Sequence, residues 1–318
     1  MDVFRPSASL LTHRLRRPPP FSNSYFRHRP NPSTYFSGLG LLAAVPLALA
    51  TSPDPSFPLY IQSPDKEQPT TLRLIGLGVR TVSFLRVRVY NVGVYVEKEA
   101  VEGRGRLWDI ADWKDYEASR LLQAPSASPV SKTDAVAPSE ATEALKRGEK
   151  LMESLLDPSR HVSVALRIVP TRSTDFSHLR DGLHRALLGR VTTTRKAGDL
   201  SEDTENSIQT PLFSFRSLFP NSSVPRGVPL TIHRRGRDGA LQVEYGDPRS
   251  AVSSAIAQDE NKSKNEVQHR VLGTLEGEGA EWVSRQMILS YFADKNPISQ
   301  VAKEAVARGF QELREKHI

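Results

Sequence analysis

The 318-residue chain has no cysteine. That excludes disulfides, zinc–thiolate centres, iron–sulfur clusters, cysteine nucleophiles and thiolate-ligated haem. The usual sequence signatures of chemistry are also missing. There is no GxxxxGK[ST] loop, no GxSxG elbow, no HExxH helix and no EF-hand loop. Gly76-Leu77-Gly78-Val79-Arg80-Thr81 lacks the third glycine of a dinucleotide fingerprint. His178 and His184 stand six apart, about 240° around a helix, so they cannot share one metal ion. A clustered positive field is lacking too. The net charge is +7, but residues 1 to 50 hold six arginines against Asp2 and account for +5 of it. The remaining 268 residues carry 37 basic and 35 acidic side chains, with no basic run interleaved with aromatics, which argues against a nucleic-acid partner.

The first fifty residues have the composition of an organelle address. Arg5, Arg14, Arg16, Arg17, Arg27 and Arg29 lie among Ser, Pro and aromatic residues, with neither Lys nor Glu. Residues 1–34 read as a mitochondrial presequence. The apolar segment 35–50 comes too late for a secretory signal, falls short of the roughly 20 residues that span a bilayer, and is interrupted by Pro46. It suits an inner-membrane anchor or sorting signal, or an extension of a leader removed on import. Residues 51–56 read as linker.

Beyond them, a domain over 57–318 is expected, with loose insertions about 118–140 (Ser, Pro, Ala and Thr rich) and 249–266 (polar). The text TLRLIGLGVRTVSFLRVRVYNVGVYVE over 71–97 reads as strands broken at Gly76 and Gly78. Leu85, Val87 and Val89 share one parity and Val92, Val94 and Val96 the other, so a bulge or bend is expected near Tyr90 and Asn91. Helices are expected over 141–156, over 174–191 with Thr174 as cap, over 280–293 and over 299–313. The last has a buried stripe of Val301, Ala302, Ala305, Val306, Phe310 and Leu313. Strands are expected over 161–170 and 270–276, and residues 228–234 and 240–245 form a hairpin turning on Asp238-Gly239. The order favours an α+β layer of helices on a largely antiparallel sheet.

Arg80 follows an apolar strand with two glycines and precedes another strand. Aimed into a cleft, its planar fork would hold a carboxylate, enolate or phenolate by two hydrogen bonds; aimed outward, it would be a surface arginine paired with an acid.

The text GLGVRTVSFLRVRVYNVGVYVE, with Gly78-Val79-Arg80 and Gly93-Val94-Tyr95, resembles the start of the chalcone isomerase fold. The resemblance continues in the helix after Thr171, in LFSFRSLFP (212–220) and in WVSRQMILSYFADKNPIS (282–299). With the Arg-rich leader and the Ser/Pro insertion, the chain resembles the fungal mitochondrial branch, the altered-inheritance-of-mitochondria proteins with a chalcone isomerase domain. The resemblance implies an α+β, chalcone isomerase-like fold, a curved antiparallel sheet covered by a layer of helices, with a ligand cleft between the layers. In the plant enzymes an arginine stabilises the developing oxyanion of an intramolecular conjugate addition, helped by hydroxyls. By resemblance Arg80 is that arginine. Tyr90 stands for a strand threonine, Phe176 and Leu183 for a helix tyrosine and asparagine, and Ser290 for a threonine that keeps its hydroxyl; the Arg80–Gly93 spacing is two residues shorter than in the enzymes.

Losing those donors leaves a more apolar pocket with one cation, so little or no chalcone isomerase activity is expected. Arg80, Tyr90, Phe176, Leu183 and Ser290 are the candidate ligand-binding residues, with Arg80 and Ser290 as catalytic pair if a residual isomerase (intramolecular lyase) survives. The expected ligand is an acidic hydrophobic molecule: haem first, by resemblance and without any axial ligand visible in the sequence, and a fatty acid second. No other cofactor or metal is expected, and inner-membrane association is expected from the apolar segment.

Overall fold

The computed structural model describes residues 56–65, 67–82, 87–122, 148–246 and 269–316. The expected presequence, the apolar segment 35–50, the insertion at 249–266, Leu85, helix residues 141–147 and most of the 118–140 insertion lie outside them. Of that insertion, Ala118–Leu122 is a short helix.

Seven strands make one antiparallel sheet in the order β1-β2-β3-β4-β7-β8-β9, curled into a half-barrel. They are β1 (Tyr60–Gln62), β2 (Thr71–Val82), β3 (Val87–Glu97), β4 (Val164–Pro170), β7 (Leu230–Arg234), β8 (Leu241–Tyr245) and β9 (Arg270–Leu275). A ribbon of β5 (Thr174–Asp175) and β6 (Ser223–Val224) stands apart. The helices are α1 (Lys98–Val101), α2 (Ala111–Lys114), α3 (Ala118–Leu122), α4 (Gly148–Leu155), α5 (Phe176–Ala197), α6 (Glu202–Ser207), α7 (Gln209–Ser217), α8 (Ala280–Leu289) and α9 (Gln300–Glu315).

Alternation along the strands sorts two faces. Val92, Val94, Val96, Leu166, Ile168, Ile232 and Val243 join the main core with the helices. Leu72, Leu74, Tyr95, Ala165 and Val169 pack with Phe57 on the other face. The parity change in β3 is met by a bulge: Arg80 pairs with Tyr90 but Thr81 with Arg88, so Val89 is the extra residue, next to the expected place. A second shift, between Leu74 and Gly76, makes Ile75 the extra residue of β2 and carries it to the main core.

Three expectations are corrected. Gly76 and Gly78 do not break the strand; β2 runs through both because α9 lies against its backbone. A Cβ on Gly76 would stand 2.5 Å from the Val306 nitrogen, and one on Gly78 2.4 Å from the Ala302 Cα. Gly309 returns the approach from the helix, where a Cβ would meet the Ile75 oxygen at 1.8 Å. Val301 leaves the buried stripe and is 47% exposed, because Ala302, Ala305, Val306, Gly309 and Phe310 form the face that meets the strand. Thr174 does not cap α5; it pairs with Val224 in the ribbon, and Asp175 occupies the cap position without a side-chain bond.

On the outer face a buried carboxylate bridges two histidines: Glu244 lies 2.9 Å from His233 Nε2 and 3.1 Å from His269 Nε2. Burial pushes the Glu244 carboxyl up, but hydrogen bonding and charge from His233 and His269 outweigh it and hold the group below its ordinary 4.5. A lowered folded value contributes stability that is present above pH 4.5 and lost as the pH falls through the lowered value. The melting temperature should therefore drop below about pH 4.5, and Glu244→Gln should flatten that acid limb while lowering the plateau near neutrality. Thermal melts of the two proteins from pH 3 to pH 7 check this.

Candidate functional site

The close packing of α9 on β2 fixes what lies at the end of that strand. Ser299 caps α9, accepting from the Ala302 amide, and donates its hydroxyl to the Val79 carbonyl at 2.8 Å. Arg80, the next residue, is half-buried and its guanidinium donates to the Ile298 carbonyl. The strand thus grips both residues that open the last helix.

Across the ladder Arg80 pairs with Tyr90, whose hydroxyl meets that of Tyr291 at 2.9 Å in a buried pair. Burial pushes both phenols above their ordinary 10, Tyr291 well above it. Charge from Arg80 opposes the rise in both, which places the guanidinium within electrostatic reach of the two rings. Both phenols therefore stay protonated at physiological pH, one donating to the other, in the field of one cation.

Tyr291 was not anticipated. The expected helix 280–293 ends at Leu289, and Ser290 to Phe292 form a tight turn in which the Tyr291 amide bonds the Ile288 carbonyl at 3.0 Å. Tyr291 stands four residues beyond Met287 and eight beyond Val283, and all three are fully buried. Ser290 is buried, but its hydroxyl donates back to the Met287 carbonyl at 2.6 Å. The hydroxyl that meets Tyr90 therefore comes from the residue after the one the resemblance pointed to. If the phenols support each other, Tyr291→Phe should cost about 1–2 kcal/mol by leaving the Tyr90 hydroxyl buried and unpaired. The double change with Tyr90→Phe should cost less than the sum of the singles, as a cycle of denaturant melts would report.

On the far side of Ile298 opens a cleft of about 780 Å³, walled by α4, α5, α8 and the segment 293–298. Ser290 and Ile298 lie on its wall together with Trp282, Leu289 and Arg190. Ile298 thus both lines the cleft and accepts from Arg80 through its carbonyl. Arg190 is 9% exposed; its Nε donates to Gln286 Oε1 at 2.7 Å and its guanidinium is salt-bridged to Glu149. Glu149 and Asp294 exchange backbone-to-carboxylate bonds of 3.0 and 3.3 Å, locking α4 to the segment after α8. Burial pushes the Asp294 carboxyl up and the neighbouring Lys303 ammonium down.

Phe176 and Leu183 lie in the main core, Phe176 edge-on to Tyr245 at 4.8 Å between ring centres. Neither is among the residues lining the cleft, to which α5 presents Ala186, Gly189, Arg190 and Thr193. Of the five named candidates, Arg80 and Tyr90 pair across the ladder, Ser290 alone lines the cleft, and Tyr90, Phe176 and Leu183 all belong to the main core. Arg190 was missed, although an arginine continuing the stripe Leu179, Leu183, Leu187 was the signal for a buried charge. Among the described residues no group of His, Cys, Asp and Glu has the arrangement of a metal site.

A curled antiparallel sheet with helices on one face, and a cation where strand and last helix meet, defines the class. Residues 70–307 match the family described as "Chalcone isomerase like", and the chain belongs to that family. Among its relatives is altered inheritance of mitochondria protein 18, mitochondrial, of Kluyveromyces lactis, 26% identical over 79% of this chain and 68% of the relative. The protein of the same name from Eremothecium gossypii is 26% identical over 79% of this chain and 70% of the relative. A solved fatty-acid binding protein of Arabidopsis thaliana superposes with a TM-score of 0.45 at 14% identity, over 80% of this chain and 99% of that one. At that level of likeness its ligand does not carry over. Among the described residues no helix is long and apolar enough to cross a membrane.

Proposed function

We propose that the protein is a non-catalytic, mitochondrial member of the family that binds an aliphatic carboxylate through Arg80. The observation that carries this reading is one half-buried guanidinium whose charge acts on two buried phenols and whose hydrogen-bond partner, Ile298, lines a 780 Å³ cleft. A carboxylate has four lone-pair sites, and a guanidinium fork with the one hydroxyl proton that the tyrosine pair leaves free supplies donors for them. The bond to Ile298 engages one of the five N–H groups that a guanidinium has. Trp282, Leu289 and Ile298 offer a hydrocarbon tail an apolar strip in a cleft otherwise lined mostly by polar and charged residues. The Arg-rich leader and the mitochondrial names of the relatives support the location.

Haem fits these groups less well. Tyr90 and Tyr291 are held protonated, which makes them poor axial ligands, and His233 and His269 are engaged by Glu244 on the outer face. The reading therefore places the fatty acid ahead of haem. Titrating the purified chain with a fluorescent fatty acid, and displacing it with oleate or with the alcohol of equal chain length, separates a charge-anchored site from a greasy one. Oleate should displace and the alcohol should compete at least tenfold more weakly; equal competition would reject the carboxylate. A Soret shift with haemin that vanishes in Arg80→Met would restore haem.

A second reading, a residual isomerase, rests on the same donors, since protonated phenols beside a guanidinium can stabilise an enolate oxyanion. Loss of chalcone absorbance no faster than in buffer would end it.

A further inference from the structure

We propose that the corner made by α5 and α7 docks on an anionic lipid bilayer. Helix α7 buries Pro211, Leu212 and Phe215, yet Phe213 between them is 77% exposed. Arg216 lies one turn on along the same exposed side, and α5 adds Leu188 at 45% exposure. Of the six basic side chains on the two helices, Arg190 is salt-bridged to Glu149 in the cleft wall and Arg195 to Glu205, which leaves Arg180, Arg185, Lys196 and Arg216 against one acid of the same helices, Asp181. Arg185 and Arg216 are exposed, and with Arg180 both act electrostatically on Asp181. Arg180 is also bonded to that acid, its Nε donating at 2.9 Å. Nearby His184 feels the same field: burial first, then the charge of Arg216, holds its imidazole below the ordinary value.

A protruding phenyl ring with an arginine one turn on, beside an arginine-bearing stretch of α5, matches a bilayer better than a protein. A specific protein interface needs roughly 800 Å² on each side with an apolar centre, and one ring with one leucine falls well short of that. At a bilayer the balance differs. The ring enters the interfacial region, and each arginine near an anionic surface adds its own attraction, enough for reversible attachment without a spanning helix. The surface lies on the folded domain and is independent of the apolar segment 35–50.

The absence of cysteine allows a clean test in the full chain. Ser217→Cys puts a single thiol one turn beyond Phe213, where an environment-sensitive fluorophore reports on the corner itself, whatever the leader does. Its emission should shift to the blue with vesicles of phosphatidylcholine containing phosphatidylserine and stay put with phosphatidylcholine alone. High salt should reverse the shift. The same fluorophore on Lys114→Cys, in α2, should not respond. In the Ser217→Cys background, changing Arg180, Arg185 and Arg216 together to serine should weaken partitioning at least about tenfold, and Phe213→Ser should weaken it severalfold. Equal response to neutral vesicles, no response to either, or a shift that depends on protein concentration without lipid would overturn the proposal, the last by revealing self-association. Circular dichroism of the variants shows that each is folded; a triple variant that is folded and still partitions normally also refutes it.

Discussion

Gly78→Val is expected to destabilise the protein by about 3 kcal/mol or more, lowering its melting temperature by roughly 6–12 °C. The new Cβ would lie 2.4 Å from the Ala302 nitrogen and Cα, and backbone atoms inside a capped helix cannot yield as a flexible side chain does. Relief requires moving α9 off β2. That movement would break the Ser299–Val79 bond and the Arg80–Ile298 bond, which lie one and two residues from Gly78 along the strand. The loss should therefore appear twice, in stability and in ligand binding. Gly182→Ala is the control: its Cβ meets nothing within 4 Å, and it lies inside α5, where alanine is favoured over glycine by about 0.5–1 kcal/mol. It should leave the protein as stable or slightly more so. Differential scanning calorimetry of both variants decides the point, and a Gly78→Val protein that melts with the wild type would show that the helix does not sit on the strand as described.

Arg80→Met carries the second large effect. Methionine keeps much of the side-chain length and removes the charge, so a carboxylate anchored on Arg80 would lose that partner while the tyrosines remain. Removing one member of a desolvated charge pair costs about 2–4 kcal/mol, a thirty- to thousandfold loss of affinity for the acid. Affinity for the corresponding alcohol should hardly change. Arg80→Lys restores the charge without the planar fork and should fall between the two. The cost to folding should be modest, about 1 kcal/mol for the bond to Ile298, so the binding loss can be read on a folded protein. Isothermal titration with oleate and oleyl alcohol across the three proteins gives the comparison.

How far the sequence reveals these features depends on how local their causes are. The β7–β8 hairpin follows from Asp238-Gly239, with Gly239 at φ 69°, and the bulge at Val89 follows from the parity change along β3; both are visible within a few residues. The unbroken strand through Gly76 and Gly78 is not, because its reason lies more than 220 residues away in Ala302 and Val306. Glycine there marks a close approach rather than a break, and one sequence does not tell the two apart. At the site, Arg80 and Tyr90 are legible from the strand text and the resemblance. Tyr291 continues the buried spacing of Val283 and Met287 and so reads as core, while Ser290 is the hydroxyl in the expected position. Phe176 and Leu183 followed from carrying positions over by resemblance; the fold instead turns their faces to the main core and turns Arg190 and its neighbours to the cleft.

The anchoring of a carboxylate by Arg80 is tested most directly by native mass spectrometry of the protein isolated from its own organelle, wild type beside Arg80→Met. The account predicts an adduct in the wild type that dissociates as a long-chain carboxylic acid and is absent from the variant. A wild-type protein that flies without any adduct, or one whose adduct lacks an acid group and persists in Arg80→Met, would contradict it.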